Sequence, residues 1–330
     1  MKICITGGCG FIGSNLVEIC LEKGLDVSVI DNCSTGRIEN IESRLSHIEF
    51  IEDDLCIVGG KWCETVRKAD IIIHLAALAD IVPSIENPRN YFESNVVATL
   101  NLLEEVRMFN PQARLVYSAS SSCYGLAKKF PTPETYRLSP QYPYALSKMQ
   151  GEELVCHWAT LYGLNAISLR FFNVYGPKSR TNGTYGAMFG VFLAQKLAGK
   201  PFTVVGDGTQ TRDFTHVSDV CTAILAAARA DSSRGEVFNV GSGRAVSINR
   251  IVELLGGDIV YLPKRPGEPD CTHADIQKIS KTIGWSPSIS IEEGVRHLLT
   301  NIDYWSDAPV WDLESIDLAT KSWFKFLRRS

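Results

Sequence analysis

Two tyrosines in this sequence stand four residues ahead of a lysine, a spacing that can support proton transfer. Tyr144 and Lys148 occur in YPYALSK, and Tyr124 and Lys128 occur in CYGLAKK. A free phenol titrates at about 10 and keeps its proton at neutral pH. A neighbouring ammonium group stabilises the phenolate. A tyrosine paired in this way can act as a general base.

The local pattern favours Tyr144 and Lys148 over the other pair. They begin a helical pattern over residues 143–163, in which residues four apart share one face. Tyr124 follows a predicted strand and precedes Gly125, so we expect it in an irregular loop with no fixed geometry relative to Lys128. With 11 tyrosines in the chain, one chance repeat of the spacing is not surprising.

A glycine-rich segment near the start of the chain has the spacing of a dinucleotide-binding turn. TGGCGFIGS follows the apolar run KICIT and opens a helical pattern, with Gly7, Gly10 and Gly13 spaced by threes. Such glycines let the backbone approach a pyrophosphate at a helix N-terminus. Asp31 ends the next strand pattern, VSVID, where a carboxylate accepts hydrogen bonds from the adenosine ribose. A carboxylate disfavours the 2′-phosphate of NADP, so we predict NAD. The alternative is that these glycines only shape a turn.

The elements that must position these residues alternate between strand and helix patterns. Apolar runs such as IIIHLA and RLVYSA alternate with helix-length segments, which predicts an α/β fold with a doubly wound parallel sheet, the Rossmann type. Two long helices are expected at 84–108 and 143–163. The alternation loosens after about residue 177. We therefore predict an NAD-binding domain at 1–176, with parts of 216–243 returning to it, and a smaller C-terminal α/β substrate domain at 177–330.

Composition and charge exclude several classes of protein. The 330 residues are 45% hydrophobic and 21% charged with a net charge of −4, and no long basic run suits a nucleic-acid partner. No apolar run is long enough to cross a membrane, and the opening strand is too short for a signal peptide. We expect a cytoplasmic protein. Its 10 cysteines form no C-x-x-C pair, which favours reduced thiols over disulfides or a metal site.

The order of several further motifs resembles one enzyme family. TGGCGFIGS, VIDN, FIEDDL, HLAALAD, a serine run before YG, YPYALSK, LRFFNVYGP, GDGTQTRDF and KRPGEP occur in this order. They are similar to the extended short-chain dehydrogenase/reductase family, in its NAD-dependent nucleotide-sugar epimerase/dehydratase group. The nearest subgroup is that of the UDP-glucose and UDP-N-acetylglucosamine 4-epimerases. The resemblance runs from Met1 to about residue 300 and leaves out the last 25 or so residues.

The resemblance implies a set of site residues by position in these motifs. Ser120, Tyr144 and Lys148 would be catalytic, with Ser120 beside the sugar 4-hydroxyl and Lys148 on the nicotinamide ribose. The cofactor would contact Gly7, Gly10, Phe11, Ile12, Gly13, Asp31, Asn32, Asp54, Leu55, Leu75, Ala76, Ala77 and Asn95, besides Tyr144 and Lys148. The nucleotide sugar would contact Ser121, Ser122, Asn173, Arg212, Arg265, Glu268 and Thr272. Arginine suits a diphosphate because its fork matches phosphate oxygens.

The resemblance also implies a reaction: epimerisation at C4 through a transient 4-keto sugar, with a tightly bound NAD that is regenerated in each cycle. A homodimer built from the two long helices is expected. The related 4,6-dehydratases eliminate water with an Asp-Glu pair, and Ser121 and Ser122 stand at those positions. Dehydration is therefore disfavoured. A 4-dehydrogenase that releases a keto sugar and a non-catalytic dinucleotide-binding protein are the alternatives.

Two positions bear on which sugar is bound. Epimerases restricted to plain hexoses carry a tyrosine seven residues after the RPG arginine, and Thr272 stands there, leaving room for an acetamido group at C2. Against this, acetamido-sugar epimerases carry an arginine in the loop where this chain has ADIVPS, with Asp80. A UDP-sugar is favoured, although GDP-, CDP- and dTDP-sugars are held by similar arginines.

Overall fold

The computed structural model describes residues 1–179, 188–231 and 234–327. Its strands, in chain order, are β1 (Lys2–Thr6), β2 (Asp26–Asp31), β3 (Glu49–Glu52), β4 (Ile71–His74), β5 (Arg114–Ser120), β6 (Asn165–Phe171), β7 (Val174–Tyr175), β8 (Phe202–Val205), β9 (Thr211–Asp213), β10 (Thr215–His216), β11 (Val237–Val240), β12 (Ala245–Ser247) and β13 (Ile259–Leu262). Its α-helices are α1 (Phe11–Glu22), α2 (Trp62–Arg67), α3 (Ile81–Glu86), α4 (Pro88–Phe92), α5 (Ala98–Phe109), α6 (Pro143–Tyr162), α7 (Met188–Leu197), α8 (Val217–Arg229), α9 (Ile248–Leu255), α10 (Gln277–Ile283), α11 (Ile291–Thr300) and α12 (Leu313–Leu327).

A seven-stranded parallel sheet forms the centre of the molecule, in the order β11-β6-β5-β4-β1-β2-β3. Alternate residues of β1 face opposite sides, so Ile3 packs with α1 and α8 whereas Cys4 packs with α5 and α6. Both faces are therefore covered by helices, which is why these strands read as nearly continuous apolar runs. The predicted doubly wound α/β fold is confirmed.

The order of the strands reverses between β1 and β4, which lie side by side in parallel, with Thr6 opposite His74. From β1 the chain builds outward to β2 and β3 on one side, and from β4 to β5 and β6 on the other. Such a reversal leaves a crevice beyond the carboxyl ends of the strands, where ligands bind in folds of this kind. The glycine-rich turn after β1 opens into it.

The first of the two predicted long helices is interrupted, so the prediction of one helix at 84–108 is wrong. Helix α3 ends at Glu86, Asn87 adopts φ −130° and ψ 63°, and Pro88 starts α4. Proline has no backbone N–H to continue a helix and restricts the residue before it, which explains the break. A π-helical turn at Glu93–Val97 joins α4 to α5. The second prediction is confirmed by α6, which ends at Tyr162 and is followed by Gly163 in the left-handed conformation, with φ 70°.

The C-terminal half contains a separate hydrophobic cluster. Its buried members run from Tyr175 to Ala308 and come mainly from α7, α9 and α11 with strand β8. Strand β11 and helix α8, by contrast, belong to the main sheet and its core. On these grounds we propose the division into 1–176 with a returning segment and 177–330. Within the described ranges, no helix is both long and apolar enough to cross a membrane.

Candidate active site

The three predicted catalytic residues come from two neighbouring elements. Ser120 is the last residue of β5, and Tyr144 and Lys148 occupy the first turns of α6. Pro143 is at the first position of α6, where its fixed φ suits a helix start and its missing N–H costs nothing. All three side chains line one cleft of about 680 Å³. The structure thus brings together the residues that the sequence placed in different motifs.

Burial controls the charge of this group. It raises the pKa of Tyr144 to about 12, an effect that a hydrogen bond with Ser120 opposes and the charges of Cys123 and Asp80 increase. Burial also lowers the pKa of Lys148 to about 8. In the protein without its cofactor, the loss of solvent raises the pKa of Tyr144, so stabilisation of the phenolate beside Lys148 stays a prediction for the protein with NAD bound. In the protein without its cofactor, Tyr144 is a neutral phenol at neutral pH.

Two further tyrosines fix the ring of Tyr144. The ring of Tyr142 stacks beside it, with centroids 6.4 Å apart and planes 9° apart, and Tyr91 packs edge-on at 6.5 Å. Such aromatic pairs stabilise beyond the area they bury. Sequence reasoning missed both contacts. The YPY segment offered a signal for Tyr142, but Tyr91 lies on α4, and nothing in the sequence connects it to the site.

Tyr124 has a fixed position, contrary to the expectation of an irregular loop. It ends a 3₁₀ helix at Ser121–Tyr124 and is buried, while Lys128 is exposed. Its hydroxyl donates to Asn239 Oδ1 at 2.7 Å and accepts from Arg170 Nη1 at 2.8 Å. Arg170 in turn pairs with the buried carboxylate of Glu152. Tyr124 is therefore held by a buried polar network beneath the cleft.

The turn between β1 and α1 fits a dinucleotide pyrophosphate. Gly7 has φ +74°, and a Cβ there would lie 2.6 Å from the backbone nitrogen of Ala76. A Cβ on Gly13 would lie 2.2 Å from the carbonyl oxygen of Gly7. Only glycine allows this close approach of backbone segments, which leaves the N-terminus of α1 open to an anion. The residues present therefore suit the cofactor that the sequence predicted.

The residues predicted to contact the adenosine lie at the ends of β2 and β3. The carboxylate of Asp31 accepts hydrogen bonds from the backbone nitrogens of Cys9 and Cys33, at 2.9 and 2.8 Å. A carboxylate offers about four acceptor positions, so Asp31 retains capacity for ribose hydroxyls. Asn32 donates to Asp54 Oδ2 at 3.0 Å. These side chains, with Leu55 and Ala76, stand outside the set that lines the main cleft.

Asn95 was predicted to bind the cofactor, and the structure places it behind the cleft wall. It is buried, and its side chain bonds both the N–H and the carbonyl of Leu78, at 2.8 and 2.9 Å. It also donates to Ser147 Oγ on α6 at 2.9 Å. Asn95 therefore ties the loop after β4 to α6.

The far side of the cleft carries the residues predicted for the nucleotide sugar. Arg212 donates to Glu268 Oε1 at 3.0 Å, and Thr272 donates to Asn173 Oδ1 at 2.9 Å. The predicted residues that line the cleft are Gly7, Gly10, Phe11, Ile12, Gly13, Leu75, Ala77, Ser120, Ser121, Ser122, Tyr144, Lys148, Asn173, Arg212, Arg265, Glu268 and Thr272. One continuous cavity thus joins the glycine-rich turn, the Ser-Tyr-Lys group and the arginines.

Fold and site together define a dinucleotide-binding α/β protein in which a half-buried tyrosine, Tyr144, is paired with a buried lysine, Lys148. The model of the NAD dependent epimerase/dehydratase family matches residues 3–241. The chain belongs to that family, and its cofactor class is NAD.

Three proteins illustrate the similarity. The CDP-paratose 2-epimerase of Salmonella typhi is 33% identical over 90% of this chain and 98% of its own length. The structure of UDP-glucose 4-epimerase from Thermotoga maritima with UDP-glucose superposes with a TM-score of 0.83 at 32% identity, covering 93% of this chain and 99% of that one. The UDP-N-acetylglucosamine 4-epimerase of Methanobrevibacter ruminantium M1, in complex with UDP-N-acetylmuramic acid, gives 0.85 at 31% identity, covering 93% and 98%.

Proposed function

We propose that this protein interconverts C4 epimers of a UDP-activated hexose through a transient 4-keto sugar. The observation that carries the proposal is the single cleft that joins Ser120, Tyr144 and Lys148 to the arginine-bearing wall around Arg212. The similarity to two UDP-sugar 4-epimerases of known structure supports it.

The glycine-rich turn and Asp31 would hold the pyrophosphate and adenosine ribose of NAD, and Lys148 the nicotinamide ribose. When bound, NAD supplies hydride exchange at C4 of the sugar.

Tyr144 carries the proton in this proposal. It takes the proton of the C4 hydroxyl. After the 4-keto sugar has turned over in the site, it returns the proton to the same C4 oxygen, which then has the opposite configuration. Burial raises the pKa of Tyr144 to about 12, and the cationic nicotinamide ring of bound NAD would favour the phenolate. Ser120 donates a hydrogen bond to the same oxygen and orients it. Lys148 keeps its positive charge at neutral pH, because burial lowers its pKa only to about 8.

Two serines argue against dehydration. Ser121 and Ser122 line the cleft directly after Ser120, and the hydroxyl of Ser122 is 2.8 Å from that of Ser120. A serine hydroxyl cannot do the acid and base work of a carboxylate pair at neutral pH. We therefore propose that the hydroxyls bind the sugar and that the 4-keto sugar is reduced again before release.

For the sugar we propose UDP-N-acetylglucosamine and UDP-N-acetylgalactosamine as substrates, accepted at least as well as UDP-glucose and UDP-galactose. The proposal rests on Thr272, which lines the cleft and is fixed by its bond to Asn173. A threonine occupies less space than a tyrosine at this position. Arg212, Arg265 and Glu268 would hold the nucleotide diphosphate and its ribose.

We further propose a homodimer that forms through α5 and α6. These two helices pack against each other, and each carries an exposed apolar residue, Phe109 on α5 and Leu161 on α6. Pairing of this face with its own copy would give an isologous four-helix interface. Light scattering at micromolar concentration tests it, and a stable monomer would contradict it. All ten cysteines are free, which supports the proposal of a cytoplasmic location.

One incubation tests the activity. The purified protein is mixed with each of the four UDP-sugars without added cofactor, and the products are followed by NMR. We expect the C4 epimer to form without accumulation of reduced cofactor. A keto sugar formed in amounts equal to the reduced cofactor would identify a dehydrogenase instead, and no change in any sugar would favour a non-catalytic dinucleotide-binding protein.

A further inference from the structure

The C-terminal helix α12 lies beyond residues 3–241 that the family model matches, and it reaches the cleft. Its buried residues Ile316, Thr320 and Trp323 recur at helical spacing and form one face. The helix packs against α3, and Ser322 Oγ donates to Glu86 Oε1 at 2.8 Å. Helix α12 is therefore attached to the part of the chain that follows the loop carrying Asp80.

Trp323 is the residue by which α12 enters the cleft. It is 5% exposed and lines the cavity. Its indole nitrogen donates to the carbonyl oxygen of Pro266 at 2.7 Å, so its polar atom is satisfied away from the cavity. The guanidinium of Arg265 lies 5.5 Å from the ring centroid, within range of a cation–π contact. The indole ring is thus fixed in place.

The neighbours of Trp323 locate it along the cleft. On one side its ring contacts Tyr142, at 6.2 Å between centroids, and Tyr142 stacks on the catalytic Tyr144. On the other side it contacts Arg265, one of the arginines assigned to the diphosphate. A nucleotide sugar that reaches from a diphosphate site to Tyr144 must lay its hexose between these two points. Trp323 stands beside that interval.

We propose that Trp323 is a specificity-determining residue that forms a wall of the hexose site and packs against C–H groups of the sugar ring. The inference rests on the proposed function, because Tyr144 sets where the sugar carbon must lie. An aromatic ring presents a large rigid surface with little conformational entropy to lose, and its face is partly negative, which suits the C–H groups of a sugar. The alternative is that Trp323 only supports the loop of Pro266 and Arg265.

Binding measurements separate these roles without relying on turnover. Affinities for UDP-glucose and for UDP are measured by calorimetry on the protein with NAD. We expect Trp323→Leu to lower the affinity for UDP-glucose by roughly tenfold and the affinity for UDP by less than about threefold, because only UDP-glucose carries the hexose. Trp323→Phe loses the bond to Pro266 but keeps an aromatic face. Because the face is retained, its affinity for both ligands should stay within about threefold of wild type.

The control is Phe326→Ala on the same helix, a residue that is 61% exposed, and it should change neither affinity. If Trp323→Leu loses affinity for UDP and for UDP-glucose equally, the proposal is overturned. Such a result would show that Trp323 only supports the loop of Pro266 and Arg265. The proposal is also overturned if Trp323→Phe loses as much as Trp323→Leu, or if wild type binds UDP-glucose no better than UDP. A hexose-specific loss in a protein that does not epimerise would instead contradict the proposed reaction alone.

Discussion

The ammonium group of Lys148 lies over the face of the Tyr117 ring, 4.5 Å from its centroid. Both side chains are buried, and Tyr117 also donates to the carbonyl oxygen of Lys148 at 3.4 Å. The negative face of the ring stabilises the cation in part. Burial still lowers the pKa of Lys148 from 10.5 to about 8, so the folded protein holds this charge at a cost.

Replacing Lys148 by Met should therefore stabilise the fold while it abolishes turnover. At neutral pH the buried charge costs about 3 kcal/mol by its pKa alone. The sign follows from linkage: below pH 8 both the folded and unfolded lysine are protonated and the cost is complete. Between about pH 8 and 10.5 the folded lysine loses its proton first, so the cost declines.

Denaturant unfolding of Lys148→Met and wild type across this pH range measures the difference in unfolding free energy. It should be largest at neutral pH and should shrink as pH rises. The exposed Lys200→Met serves as control and should show no such trend. A Lys148→Met protein less stable than wild type at neutral pH would contradict the assignment.

Replacing Tyr144 by Phe should remove turnover and keep the fold. The change deletes one hydroxyl and little packing, because the ring contacts with Tyr142 and Tyr91 are retained. Loss of a general acid and base costs about a hundredfold or more in rate. Turnover, melting temperature and bound NAD are measured together. A variant that retains more than a tenth of wild-type turnover would exclude Tyr144 as the proton carrier.

Replacing Tyr124 by Phe should lower the stability of the fold and leave turnover nearly unchanged. It removes the hydroxyl that joins Asn239 to Arg170 and leaves buried polar atoms short of a partner, which costs about 1–3 kcal/mol of stability. Turnover per folded molecule should change little. Urea unfolding and kcat, corrected for the folded fraction, check both statements. An inactive but fully stable variant would mean that the wrong tyrosine has been assigned the chemistry.

Replacing Thr272 by Tyr should suppress the N-acetylated substrates selectively. The larger side chain would fill space beside C2, and overpacking costs about 1–3 kcal/mol. The readout is kcat/KM for the four UDP-sugars. Because the change also removes the bond to Asn173, Thr272→Val is the matched control and should affect all four sugars alike. An equal loss on all sugars in Thr272→Tyr would show that this position does not select at C2.

The sequence alone predicted those parts of the site that depend on local backbone chemistry. The turn at Gly7 and Gly13 and the start of α6 at Pro143 depend on residues close together in the chain, so spacing reveals them. The break at Asn87 was missed because the apolar pattern continues across it, although Pro88 marks it.

Contacts between segments far apart in the chain could not be predicted from the sequence. Trp323 reaches the cleft from a helix without a recognisable motif. The sulfur atoms of Cys9 and Cys33 lie 3.9 Å apart although 24 residues separate them. The pKa of Tyr144 also depends on burial, which the spacing of Tyr144 and Lys148 in the sequence does not reveal.

The central claim is that the C4 hydrogen leaves the sugar and returns to it without exchange with solvent, while Tyr144 moves only the hydroxyl proton. Running the reaction in D₂O with UDP-glucose and UDP-N-acetylglucosamine, and examining the products by NMR and mass spectrometry, tests this directly. The account predicts the C4 epimer with no deuterium bound to carbon. Deuterium at C4 or C5 of the product, or a dehydrated keto sugar in place of the epimer, would contradict it.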